Sequence, residues 1–289
     1  MKGFTLPKPC FNWLLELKFF LGRVSPFMPF NLRYLCYMLL IVFLFGLAMG
    51  SFLNALIYRL HEKKSLFSRS TCSKCGAKIA WFDNIPLLSF VLLRGRCRKC
   101  QIKISWQYPI VELTTGLLFL FVFLNLNSKF YILDSKFYIL LLRDWLIIFA
   151  GLFIFIYDLK YLAVEDRVVL PLAGLIFIFN LGLGQAFTKM ILAVIISIGF
   201  FALQYFLTRG RGLGLGDLRI GFFMAATLSW PNILLGLFLA YLIGALVALS
   251  LLLGGKKKLK DQLPLGPFLV VGTFLTLFWA EQIISWHFN

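Results

Sequence analysis

Apolar residues in this chain come in long unbroken blocks, not in alternation. Blocks over residues 36–58, 110–126, 137–157, 168–183, 190–207, 218–229, 233–254 and 268–286 are separated by short polar or glycine-containing breaks. A helix needs about 20 apolar residues to cross a bilayer, and several blocks reach that length. The pattern predicts an all-α polytopic membrane protein with about eight transmembrane helices. Continuous blocks argue against a membrane barrel, whose strands alternate apolar and polar positions. The block after residue 217 is short, and is expected to be tilted, partly buried or merged with its neighbour across Trp230-Pro231.

The breaks divide the chain into an N-terminal interfacial segment (1–35), a first transmembrane helix (36–60), a polar loop with four cysteines (61–109) and a transmembrane core (110–289). Trp13, Leu14, Leu17 and Phe20 recur at helical spacing, which predicts an amphipathic helix over 11–21 lying at the membrane interface; a flexible leader is the alternative. Pro7, Pro9, Glu16 and Lys18 interrupt that stretch and no small-residue cleavage site follows, so it does not read as a signal peptide. Within the first span, Gly46, Gly50 and Ser51 are small residues suited to close helix contact.

Charge then orients the spans. The formal net charge is +17, and the loop 61–109 carries ten lysines and arginines against only Glu62 and Asp83. Loops this basic lie on the cytoplasmic side, so the first span runs from outside to inside. Later loops agree: Lys160, Arg167, Arg209, Arg211 and the run Lys256-Lys257-Lys258 fall inside, whereas only Lys129, Lys136 and Lys189 fall outside. The basic N-terminal segment is a mild exception. The same topology brings Asp158 and Asp217 to the cytoplasmic ends of their spans, with no chemistry used to place them.

Two internal echoes mark the loop. Cys72-Ser73-Lys74-Cys75 and Cys97-Arg98-Lys99-Cys100 both continue to Lys-Ile-x-Trp, ending at Trp81 and Trp106. Two such knuckles supply four thiolates, a complete tetrahedral zinc shell with no open position, so Cys72, Cys75, Cys97 and Cys100 are the predicted ligands of one structural zinc. The spacing between pairs is slightly long for such sites, and a redox dithiol or unmetallated thiols are the alternatives. The surrounding basic residues are expected to face anionic lipid heads. A zinc ribbon that binds nucleic acid is disfavoured, because no stacking platform is evident beyond Trp81 and Trp106.

The second constellation is acidic. Gly210-Arg211-Gly212-Leu213-Gly214-Leu215-Gly216-Asp217 ends one apolar block and delivers a carboxylate to the start of the next. Asp158 stands where another block stops. Alone, Asp158 would read as a helix-end charge paired with Lys160 or a neighbouring arginine. Two carboxylates at one membrane face instead suggest an aspartyl protease, in which one holds a proton while the other activates water. The helix ends favour Asp158 as the protonated partner and Asp217 as the base. Other hydrolytic chemistries lack parts: His61 and His287 are the only histidines and fall on opposite sides, and no His-Glu-x-x-His helix is present. Glu165 and Asp166 add to an acidic spot in an otherwise basic face, which would attract a basic peptide.

Together these stretches resemble the bacterial type IV prepilin peptidases, bifunctional leader peptidases and N-methyltransferases of the Gly-x-Gly-Asp aspartyl protease class. The resemblance rests on Gly50-Ser51-Phe52-Leu53-Asn54 through Tyr58-Arg59-Leu60, both knuckles, Phe82-Asp83-Asn84-Ile85-Pro86 and Leu93-Arg94-Gly95-Arg96-Cys97. It continues through Tyr108-Pro109-Ile110-Val111-Glu112-Leu113, Asp158, Gly214-Leu215-Gly216-Asp217 and Pro264-Leu265-Gly266-Pro267. It implies cleavage of a basic leader after glycine from prepilins and pseudopilins at the cytoplasmic face of the bacterial inner membrane. Methylation of the new N-terminus with S-adenosylmethionine follows. By motif position Asp158 and Asp217 match the catalytic pair and the four paired cysteines match the zinc ligands. Glu165 departs from the proline often found there.

Methyl transfer has no signature of its own in the residues: no Gly-rich loop follows a strand, and the loop is too small for a Rossmann-like domain. Asn54, Arg59, Asp83, Asn84 and Glu112 are the candidate polar groups, unranked. The competing functional class is a transporter or scaffold whose acids carry protons; its acids belong near the bilayer midplane, not at span ends. A peptidase without methyltransferase activity is a third reading, opposed by the presence of the cysteine loop. Expected partners are prepilin and pseudopilin precursors and membrane lipids, with no nucleic acid.

Overall fold

A computed structural model describes residues 32–66, 68–72, 74–129, 135–210, 214–255 and 262–288. Eight long helices lie where apolar blocks were predicted: α1 Leu32–His61, α2 Gln107–Lys129, α3 Ser135–Tyr161, α4 Asp166–Gly182, α5 Phe187–Leu207, α6 Leu215–Leu228, α7 Asn232–Leu253 and α8 Gly266–Phe288. The loop before α2 adds a 3-10 turn at Trp81–Asn84 and a short helix at Leu88–Leu92. Among the described residues there is no β-strand, only isolated bridges. The interfacial helix expected over 11–21 lies outside the described residues.

Length and composition alone identify six of the eight as spans. Among the described residues, six helices are long and apolar enough to cross a membrane, which makes this a multi-pass membrane protein. The two that fall short are α4, with 17 residues, and α6, with 14. At 1.5 Å per residue, α6 covers about 21 Å of a hydrocarbon layer about 30 Å thick.

The described residues form two units. The first holds α1 up to Asn54 together with Arg69–Leu141. In it, small residues let two helix backbones meet. A Cβ on Gly46 would stand 2.8 Å from the Gly116 Cα, and one on Gly50 would stand 2.7 Å from the Glu112 Cα. Phe119, Val122, Phe123 and Phe137 fill the core of this unit.

The second unit holds Ala55–Ser68 and the chain from Leu142 onward. Its centre is the short helix α6, which packs against α4, α5, α7 and α8. Every residue from Phe223 to Leu228 is buried, as are Ile220 and Gly221. A helix walled by other helices has no lipid face to match, which explains how 14 residues suffice. A polar tie secures its far end. Arg143 pairs with Asp144 at 2.6 Å and donates to Asn180 Oδ1 at 3.2 Å. The Asn180 Nδ2 in turn donates to the Ala226 carbonyl at 2.7 Å. The adjacent charges at 143 and 144, inside an apolar block, are the sequence signal of this tie; taken as part of a span, they went unread.

Candidate active site and metal centre

In the second unit each aspartate is held by a backbone N–H at the start of a helix. Asp217 lies in the first turn of α6, where its Oδ2 accepts the Gly214 N–H at 2.9 Å. Its own N–H donates to the Gly214 carbonyl at 3.2 Å, a reciprocal closure of the helix start. Asp158 lies in the last turn of α3 and is buried. Its Oδ2 accepts the N–H of Gly266, the first residue of α8, at 2.8 Å.

This changes the electrostatic expectation for Asp158. Sequence position puts it at a helix C-terminus, where the partial negative charge disfavours a carboxylate. The structure adds the N-terminus of α8, which favours one. Helix ends therefore do not separate the two aspartates into acid and base. Nor does Asp158 pair with Lys160, whose Nζ lies over the Tyr161 ring, 5.5 Å from its centroid.

Asp217 senses the charge of Asp158. Asp217 stands outside the six segments long enough to cross a membrane, and burial pushes its carboxyl up to about 6. The Gly214 N–H works to lower it, and the charge of Asp158 raises it further. A carboxyl in that range is ionised at neutral pH yet basic enough to take a proton.

Glycines make room for this arrangement. A Cβ on Gly266 would stand 2.7 Å from the Asp158 Oδ2. A Cβ on Gly216 would stand 2.8 Å from Val164 Cγ2, on the loop between α3 and α4. The second glycine of the Gly-x-Gly-Asp run thus accommodates the chain that follows Asp158.

The wider acidic spot is weaker than the sequence implies. Asp166 pairs with Arg219 at 2.8 Å, and Glu165 with Arg167 at 3.8 Å. Arg219 lies two residues beyond Asp217, and its role was not read from the sequence.

The metal centre lies in the first unit. The sulfur atoms of Cys72, Cys75, Cys97 and Cys100 all lie within 4.8 Å of one another. The two halves repeat bond for bond. The Cys72 N–H donates to the Ala77 carbonyl and the Gly76 N–H to the Cys72 carbonyl, at 2.9 and 3.0 Å. In the second half the Cys97 N–H donates to the Ile102 carbonyl and the Gln101 N–H to the Cys97 carbonyl, at the same distances, 2.9 and 3.0 Å. Both turns need a left-handed residue, Gly76 at φ 66° and Gln101 at φ 57°. Gln101 tolerates the conformation less well than glycine, and its side chain donates to the Arg98 carbonyl at 3.3 Å.

The donor set suits a cation. Cys72 and Cys100 sulfurs are 3.8 Å apart. A tetrahedron with metal–sulfur bonds of about 2.3 Å has edges of about 3.8 Å. The Cys75 and Lys74 N–H groups lower the Cys72 thiol to about 6, and the Cys100 and Lys99 N–H groups lower Cys97 in the same way. Cys100 is pushed up to about 11: the Ile102 N–H lowers it, but desolvation and the neighbouring cysteines prevail. Four thiols this close do not all ionise unless a cation sits among them.

The five candidate methyl-transfer groups separate. Arg59 donates to the Leu66 carbonyl at 2.6 Å, Asp83 pairs with Arg98 at 2.7 Å, and Asn84 donates to the Ser70 hydroxyl at 3.5 Å. Asn84 is exposed, whereas Arg59 and Asp83 are half-buried. Asn54 and Glu112 are buried within the first unit, where Glu112 accepts the Leu87 N–H at 2.8 Å and Asn54 donates to the Tyr108 carbonyl at 3.2 Å.

Comparison with known proteins places both halves of the chain. Residues 44–126 match the bacterial peptidase A24 N-terminal domain, and residues 145–249 match the type IV leader peptidase family. A prepilin leader peptidase/N-methyltransferase of Aeromonas salmonicida is 32% identical over 86% of this chain and 93% of its own length. One from Legionella pneumophila is 30% identical, covering 89% of this chain and 96% of the relative. One from Pseudomonas aeruginosa is 26% identical over 83% and 90%. No solved structure matches.

Proposed function

Because the chain belongs to the type IV leader peptidase family, we propose that it removes the leader of type IV prepilins and pseudopilins and methylates the N-terminus so exposed. Cleavage takes place at the cytoplasmic face of the inner membrane, after glycine. The observation that carries this reading is the seating of Asp158 and Asp217 in one unit of the structure. Both are seated on helix-start N–H groups, and the charge of one perturbs the other.

Asp217 and Asp158 are the catalytic pair. They share one proton, since two neighbouring carboxylates do not both ionise easily. The ionised partner takes a proton from water, which attacks the scissile carbonyl. The protonated partner donates to that carbonyl oxygen and then to the leaving amine. The dyad titrates as a unit, so acid and base are microstates of the pair.

Cys72, Cys75, Cys97 and Cys100 hold one structural zinc. Four thiolates fill its shell, so it folds the loop and takes no part in hydrolysis. The loop meets lipid: Trp81 and Leu92 are 80% and 71% exposed, beside the exposed cations Arg94, Arg96, Lys99 and Lys103. That mixture suits an anionic interface. S-adenosylmethionine supplies the methyl group, as a sulfonium. No role for nucleic acid is proposed.

The test is incubation of the full-length protein, in detergent with anionic phospholipid, with a synthetic prepilin whose basic leader ends in glycine. Mass spectrometry should show one cut after that glycine, and methylation only when the sulfonium donor is added. An uncut peptide, or cuts elsewhere, would overturn the reading.

A further inference from the structure

We infer that Glu112 and Asn54 form the seat of the amine that becomes methylated, with Glu112 as the acceptor of its proton. The inference rests on the bifunctional reading above and extends it to named residues. An ionisable side chain inside a membrane helix is costly unless it is paired or has a task. Glu112 is 7% exposed and Asn54 is 3% exposed.

The two belong to one small region of the first unit. The Asn54 amide donates to the carbonyl of Tyr108, one helical turn before Glu112. One turn earlier in α1, Gly50 lies against the Glu112 backbone, so close that a Cβ there would reach 2.7 Å from the Glu112 Cα. The Ser51 hydroxyl also bonds to the Glu112 carboxylate. Gly50 opposes Glu112 and Asn54 opposes Tyr108, so the antiparallel register sets Asn54 about one turn from Glu112. Glu112 is the sixth residue of α2, about 7.5 Å from the helix start at 1.5 Å per residue. That depth suits a peptide end arriving from the membrane face.

The acceptors outnumber the donors. Glu112 receives the Leu87 N–H at 2.8 Å and the Ser51 hydroxyl, and a carboxylate has room for about two more. The Asn54 Oδ1 is buried with no donor among the described residues. A buried acceptor without a partner is costly. A structural role for Glu112, holding Leu87 in its left-handed turn at φ 59°, accounts for one contact and leaves the Asn54 oxygen unexplained. A primary amine brings the missing N–H donors and neither fills a large space nor needs an anion site.

The chemistry balances. A terminal ammonium gives one proton to the Glu112 carboxylate and becomes a nucleophilic amine. Its nitrogen bonds to the methyl carbon of the sulfonium donor as the sulfur–carbon bond breaks, the electron pair staying on sulfur. The product is a methylammonium and a thioether. Asn54 Oδ1 accepts an N–H throughout and aims the lone pair.

The experiment uses full-length wild type, Glu112→Gln and Asn54→Ala in detergent, with a pre-cleaved pilin peptide bearing a free or an acetylated N-terminus. Glu112→Gln keeps an acceptor for the Leu87 N–H. It should lose methylation about 100-fold, the scale of a positioned general base, while cutting uncleaved prepilin within about twofold of wild type. Wild type should bind the free-amine peptide more tightly than the acetylated one, and both variants should lose that preference. Aminolipid vesicles test the other source of a primary amine and should not displace the peptide. The inference fails if Glu112→Gln methylates at the wild-type rate, if it loses cleavage as well, if the preference for the free amine survives, or if aminolipid alone occupies the seat. Wild type that cuts no prepilin and methylates no peptide would instead count against the bifunctional reading itself.

Discussion

Gly266 and Asp158, 108 positions apart, meet at 2.8 Å through the glycine N–H and the carboxylate Oδ2. The contact ties the start of α8 to the end of α3, and it exists only because residue 266 has no side chain. Gly266→Ala would put a methyl 2.7 Å from the oxygen it now serves. Asp158 then has to move, and an ångström of misplacement at a reacting group costs about 100-fold in rate. Prepilin cleavage should fall by that order while bound metal and methylation of a pre-cleaved peptide hold. Unchanged cleavage would mean that the Gly266 contact does not position Asp158.

Cys72→Ser removes one corner of the four-sulfur cluster. Metal analysis should find about one zinc per chain in wild type and much less in the variant. Limited proteolysis should then cut the loop between α1 and α2, whose two turns a bound metal would join. Wild type purified without chelator and free of zinc would refute the assignment.

The pH dependence follows from Asp217. Its carboxyl is raised from 3.8 to about 6, chiefly by burial. As pH falls through about 6 the base takes a proton, and cleavage should drop about tenfold per further unit. The sign for stability is opposite to that of a salt-bridged acid. Between 3.8 and about 6 the folded state binds more protons than the unfolded state, so this group's contribution to stability declines as pH rises through that window. An acid limb centred near 4 would show that Asp217 is not the titrating base.

Arg143 and Asp144 are both largely buried, and their pairing reaches Ala226 through Asn180. Arg143→Met breaks a buried ion pair and the link to Asn180 with it, a loss of about 3–5 kcal/mol. The thermal midpoint in detergent should fall clearly, and the double variant with Asp144→Leu should recover much of it. Equal midpoints for wild type and Arg143→Met would rule out a stabilising tie.

Much of this was legible in the order of residues, for physical reasons. Apolar blocks must become helices in lipid, so helix positions follow from hydropathy. The knuckle repeat was visible because each half closes its own turn through local bonds, such as Cys72 to Ala77 and Cys97 to Ile102. The Gly-x-Gly-Asp run showed Asp217 at a helix start because Gly214 is only three residues away. Contacts across long separations stayed hidden. Nothing near Asp158 announces Gly266, so its charge was assigned from α3 alone. The short block of α6 is legible in the sequence, but composition does not say that the helix is walled by others. Asp166 counted as a free acid until Arg219 was placed beside it.

The central claim is that Asp158 and Asp217 together cut the leader. The most direct measurement compares full-length wild type, Asp158→Asn and Asp217→Asn on one prepilin, reading the product N-terminus by mass spectrometry and supplying pre-cleaved pilin in parallel. Wild type should release the leader after glycine; each variant should release none, yet keep its zinc and still methylate the pre-cleaved pilin. Leader release by either asparagine variant at a rate near that of wild type would contradict the account.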